Sequence, residues 1–221
     1  MKETYFTPDT LATKAAQIYR QVEPYRRTVN VPFEPRKSAL LVLDMQSYFL
    51  QPASHAYVPS AKAILPGVSA LVRAYSACGL PVIFTRHINT PQDAGMMARW
   101  WHDLITIENP LSEIIPELDT SKGLVLHKTR YDAFYCTSLE DELRQKSVQQ
   151  LVITGVMTHL CCETTARAAF MRGFEVFFLL DGTATYNQRF HRAALLNLAH
   201  GFAVITWVDA IRSAIRGINA G

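Results

Sequence analysis

Three times this chain runs through an amphipathic segment, meets a glycine, and turns into a short apolar run: at Gly79, Gly173 and Gly201. An apolar run without alternation is the signature of a strand covered on both faces, and the segments between such runs supply the covering helices. The runs at 39–43, 81–85, 124–126, 151–153, 176–180 and 203–206 read as six strands. Ile64, Leu65, Val68, Leu71, Val72 and Tyr75 recur at helical spacing. Ser138 with Asp141 resembles a capping box ahead of Leu139 and Leu143. Cys162, Ala166, Ala169 and Phe170 share one face of the next helix, and a further helix spans about 189–200. The rhythm predicts an α/β fold: a three-layer α/β/α domain with a six-stranded parallel sheet, Rossmann-like, over residues 38–221. At 221 residues, one such domain with a large core accounts for the chain.

Residues 1–37 read as an N-terminal arm. Leu11, Ala15, Ile18 and Val22 form a helical stripe that Pro24 stops, and 31–35 is extended. A lone stripe must be buried on the domain or on a neighbouring subunit, so a docking arm and a homo-oligomer, dimer or tetramer, are expected. The net charge of +3 is too small for a strong nucleic-acid or membrane field. Arg20, Arg26, Arg27, Arg36 and Lys37 make the arm locally basic and read as a solvated face. No apolar run is long enough to span a bilayer, and Met1–Tyr5 lead into no signal-peptide core. Four cysteines without regular spacing (Cys78, Cys136, Cys161, Cys162) point to a reduced, cytoplasmic protein.

Ligands of parallel α/β sheets bind at the carboxyl ends of strands, so reactive side chains just after the apolar runs are the candidates. Asp44 follows the first run, Lys128 the third, Cys161 the fourth and Asp181 the fifth. Cys161 stands in Gly155-Val156-Met157-Thr158-His159-Leu160-Cys161-Cys162, a strand end, a tight turn and a helix start. Unpaired N–H groups and the helix dipole there favour a thiolate and lower its pKa, and the same N–H groups hold an oxyanion. A nearby carboxylate serves as general base and then acid, and an ammonium steadies both. The competing reading is structural: inert buried cysteines, a helix-capping Asp44 and a surface Lys128.

Taken together, Leu43-Asp44-Met45-Gln46, Lys128 and Gly155-Val156-Met157-Thr158-His159-Leu160-Cys161 resemble the isochorismatase-like superfamily of hydrolases over about residues 33–210. The resemblance implies an Asp44, Lys128, Cys161 triad. It also implies a turn framed by Val156, Met157 and Cys161, with a cis peptide at Val156–Met157 that turns an N–H toward the substrate oxygen. Substrate contacts are expected from Gln46, Phe49, Arg99, Trp101, Tyr131, Phe134, Thr158 and Tyr186, with Trp100 as a further aromatic wall. The local text is similar to the isochorismatase branch at Phe33-Glu34-Pro35, at 44–49, at 128–134 and at 169–172. That branch generally carries Gly where this chain has Cys161 and Tyr where it has Met157, since vinyl-ether hydrolysis by protonation needs no nucleophile. The departures favour attack on an amide or ureido carbon. The alternatives are an isochorismatase using Asp44 as acid, and a non-catalytic small-molecule binding protein on the same fold. Nicotinamidases of the superfamily carry an Asp-x-His…His zinc cluster. Here the corresponding loops offer only His55 and His87, so no metal is expected. No glycine-rich phosphate loop is present, and no other cofactor is expected.

Overall fold

The computed structural model describes residues 1–27, 30–101 and 103–218. An arm helix, α1 (Leu11–Val22), precedes β1 (Ser38–Leu43), α2 (Ser47–Leu50), α3 (Ala61–Ala77) and β2 (Val82–His87). There follow α4 (Met96–Trp100), β3 (Leu124–Lys128), α5 (Leu139–Gln145), β4 (Gln150–Val156) and α6 (Glu163–Met171). The chain continues through β5 (Glu175–Ala184), α7 (Gln188–Gly201), β6 (Val204–Thr206) and α8 (Val208–Ile218). The six strands form one all-parallel sheet in the order β3-β2-β1-β4-β5-β6, flanked by helices on both sides. β1, β2 and β4 are buried at every residue, as their unalternating sequences require, whereas the edge strand β3 leaves Leu124 and Val125 partly open.

β1 lies between β2 and β4, which are reached by connections running in opposite directions, so a crevice opens beyond its carboxyl end. Gly155 allows β1 and β4 to close up there. Its φ is +111°, and a Cβ would stand 2.1 Å from the Leu43 carbonyl oxygen, so no other residue fits.

Gly79 (φ +65°) and Gly173 (φ +81°) are left-handed helix ends, as the rhythm predicts. Gly201 is not: it is the last residue of α7, and Phe202 ends the helix at φ −143°. Ser138 makes no capping hydrogen bond either. Thr137 Oγ1 takes that place and accepts from the Leu139 N–H at 3.3 Å. Asp181 does not follow β5 but lies inside it, near a register shift, and its Oδ1 accepts from the Val208 N–H at 2.9 Å to start α8. It has no part in the crevice.

The arm is built into the core. Tyr5, Phe6, Ala15, Ile18 and Val22 are buried with the sheet residues, and α1 packs on α7 and β5. The stripe that called for a partner is therefore covered by its own chain and gives no ground for association. Among the described residues no helix is long and apolar enough to cross a membrane.

Candidate active site

Asp44 ends β1 with φ +51°, a conformation that few side chains adopt and that clusters at functional positions. Thr85 of β2 holds it there. The Thr85 hydroxyl donates to Asp44 Oδ1 at 2.6 Å and accepts from the Asp44 N–H at 3.0 Å. Oδ2 faces the Lys128 ammonium at 2.8 Å and accepts no well-aligned hydrogen bond, so a lone pair stays open. Both side chains of this ion pair are fully buried. Lys128 Nζ also donates to the Arg130 carbonyl at 2.8 Å and stands 3.5 Å from Cys161 Sγ. Burial works against the ammonium, but Asp44 and Cys161 outweigh it and hold the Lys128 pKa above the ordinary lysine value.

Cys161 lies in a wide π-type turn, Thr158–Cys162, that leads into α6. The Val156–Met157 peptide before it is cis. Burial pushes the Cys161 thiol up to about 12, Asp44 adds to the rise, and Lys128 only partly offsets it. This corrects the expected lowering at a helix start. Desolvation outweighs the dipole, so the resting group is a thiol, and its proton needs an acceptor. The Asp44 carboxylate is close enough to Cys161 to act on its proton.

The thiol opens into a cavity of about 50 Å³. Phe49, Trp101, Tyr131, Met157 and Tyr186, all expected at the site, line it or its wall, and Trp101 Nε1 donates to the Tyr131 hydroxyl at 2.6 Å. Other expected contacts lie elsewhere. Gln46 is a buried clamp: its amide donates to the His87 and Ser112 carbonyls, and its Oε1 accepts from the His87 N–H. Phe134 stacks on Phe174 beneath the Arg172 guanidinium. Thr158 turns its hydroxyl to His191, Val156 is buried at the end of β4, Arg99 is exposed, and Trp100 is 75% exposed. The cavity also recruits Tyr48, His55, Asn89, Asp103, Leu104 and Ile105. These come from loops after β1 and β2 whose path no local pattern encodes. No arginine or lysine lines the cavity among the described residues.

Residues 38–210 match the isochorismatase domain family. The chain belongs to the isochorismatase family. This isochorismatase-family hydrolase is 39% identical over 208 residues to Nicotinamidase 3 of Arabidopsis thaliana, covering 92% of this chain and 99% of that one. The Isochorismatase of Bacillus subtilis (strain 168) is 29% identical over 206 residues, covering 89% of this chain and 64% of its own length. A cysteine hydrolase from Pseudomonas syringae pv. phaseolicola 1448A shares its fold with a TM-score of 0.82 at 27% identity, covering 87% of this chain and 98% of that one.

A zinc ion of the nicotinamidase type does not fit the described residues of this hydrolase. His87 gives Nε2 to Asn89 Oδ1 at 2.8 Å, and its Nδ1 lies 3.4 Å from the Lys128 ammonium, a poor neighbour for a second cation. Among the described residues no group of three His, Cys, Asp or Glu side chains stands together as ligands.

Three histidines of this family member are held neutral, chiefly by burial: His87 and His159 down to about 4 and His191 to about 3. For such groups the unfolded chain binds more protons once the pH falls below the unfolded value of about 6.5, and the loss is complete below the folded value. The urea midpoint is expected to fall steadily from pH 6.5 to about 4, with a shallower slope in His191→Gln. A flat midpoint across that window would refute the assignment.

Proposed function

We propose that this hydrolase cleaves the C–N bond of a small, uncharged amide or ureido compound through a thioester on Cys161. The thiol proton passes to Asp44 Oδ2, and Sγ bonds to the substrate carbon. The resulting oxyanion is assigned to backbone N–H groups of the Met157–Cys161 turn. Asp44 then returns the proton to the leaving nitrogen as the C–N bond breaks. A water, giving its proton to Asp44, attacks the thioester and releases the acid and the thiol. Lys128 holds Asp44 in place and tempers the charge.

One observation carries the reading: a buried carboxylate–ammonium pair lies beside a thiol that opens into a small cavity walled mainly by aromatic and apolar side chains. Among the described residues the cavity lining carries no arginine or lysine, which favours a neutral amide over the dianionic isochorismate. The likeness to Nicotinamidase 3 makes aromatic carboxamides the first substrates to try, with ureido compounds next.

The test is peptide-mapped mass spectrometry with slow amide substrates and with iodoacetamide. An acyl adduct on Cys161, and alkylation of Cys161 ahead of the fully buried Cys162, are the expected results. Acylation of neither, or preferential modification of Cys162 or Cys78, would overturn the assignment.

A further inference from the structure

The turn that carries Cys161 is gripped from behind by a chain of buried polar groups that starts outside the matched family domain. Tyr5, in the N-terminal arm, is buried beside Phe6, and the backbone N–H groups of both residues donate to Ser60 Oγ at 3.0 Å. Its hydroxyl accepts from the Thr185 N–H at 3.0 Å, so its own proton must go forward. Ahead lies His191 Nδ1 of α7, 3.1 Å away, and the Thr158 hydroxyl stands 3.0 Å from the same nitrogen. Burial keeps His191 neutral and leaves its Nε2 without a well-aligned hydrogen-bond partner among the described residues, while the Tyr5 hydroxyl also reaches the Thr158 hydroxyl, so Tyr5, Thr158 and His191 Nδ1 form one buried junction. Thr185 extends the grip: its Oγ1 lies 2.6 Å from His159 Nδ1, and the His159 ring stacks on Phe190. The first two residues of the nucleophile turn, Thr158 and His159, are thus tied to the arm, the end of β5 and α7. None of these groups lines the cavity.

We infer that Tyr5 is a positioning residue: through His191 and Thr158, its hydroxyl holds the turn that aims Cys161 Sγ at Asp44 and the substrate carbon. The inference rests on Cys161 being the nucleophile. A buried hydrogen-bond junction fixes direction as well as distance, and nucleophilic attack is sensitive to displacements well below 1 Å. The arm therefore completes a site whose reacting residues all lie in the family domain.

Tyr5→Phe keeps the ring in place and removes only the hydroxyl. The readout is the rate of Cys161 alkylation by iodoacetamide, mapped by mass spectrometry, with the exposed Cys136 of the same molecule as reference. Ile18→Val, which loosens the arm at a buried apolar residue that makes no hydrogen bond to the junction, controls for a general loss of stability. In Tyr5→Phe the Cys161 rate is expected to fall about tenfold relative to Cys136, and kcat to fall by a similar factor with KM within twofold. Ile18→Val should leave both unchanged. An unchanged or faster Cys161 rate in Tyr5→Phe, or an equal fall in Ile18→Val, would overturn the inference. If Cys161 of the unaltered protein is not alkylated at all, the nucleophile reading itself falls, a result distinct from the other two.

Discussion

Replacing Cys161 with alanine is expected to remove amide hydrolysis and leave the fold standing. The substitution deletes one sulfur from a side chain that already borders a cavity, so little packing is lost, about 1 kcal/mol. Without the sulfur no thioester forms, and deleting the nucleophile of a catalytic unit costs three orders of magnitude or more in kcat, on the order of 10³ to 10⁶. The variant keeps Asp44, Lys128 and the cavity, so substrate binding should survive and be measurable by calorimetry. Vinyl-ether hydrolysis behaves differently. It needs Asp44 as acid but no nucleophile, and a small residue at 161 would leave most of its rate. Asp44→Asn should stop both reactions. A Cys161→Ala protein that retains near-full turnover on its best substrate would replace the amide reading by the protonation reading. One that binds but never turned over in the unaltered form would favour a binding protein.

The sheet was legible because its strands are covered on both faces, which writes them into the sequence as unbroken apolar runs. The carboxyl edge was legible too at β1, β3 and β4, and with it the positions of Asp44, Lys128 and Cys161, though not at β5, where Asp181 lies inside the strand. What failed was whatever depends on packing between distant segments. Nothing around Cys161 announces that its surroundings are dry enough to raise the thiol rather than lower it. Gln46 and Phe134 lie in family-like text next to triad residues, yet one clamps two loops and the other joins a core stack. Thr85, which fixes Asp44 through two hydrogen bonds, is one more residue in a buried strand until β1 and β2 are paired. The arm's stripe was visible, but only the fold shows that α7 and β5 cover it.

Lys128→Met should be the most destabilising single change at the site. Methionine matches the stem of lysine in volume, so the packing loss is small. The electrostatic loss is not. Lys128 and Asp44 have fully buried side chains, and removing one partner strands the other as an uncompensated charge, at a cost of about 3–5 kcal/mol. The pH dependence gives the cause away. In the unaltered protein the Lys128 pKa is raised, so its contribution is fully present below the ordinary lysine value and fades only as the pH climbs through the folded value. Lys128→Met lacks that contribution at every pH, so the stability gap between the two proteins, from urea unfolding, should be full at pH 8 and narrow as the pH climbs past the ordinary lysine value. Taking away the stranded charge should close it as well. Asp44→Asn combined with Lys128→Met should recover most of the lost stability at pH 8 while remaining inactive. A gap below about 1 kcal/mol, or one that does not change with pH, would show that the pair is not the buried charge couple on which the proton transfer to Asp44 depends.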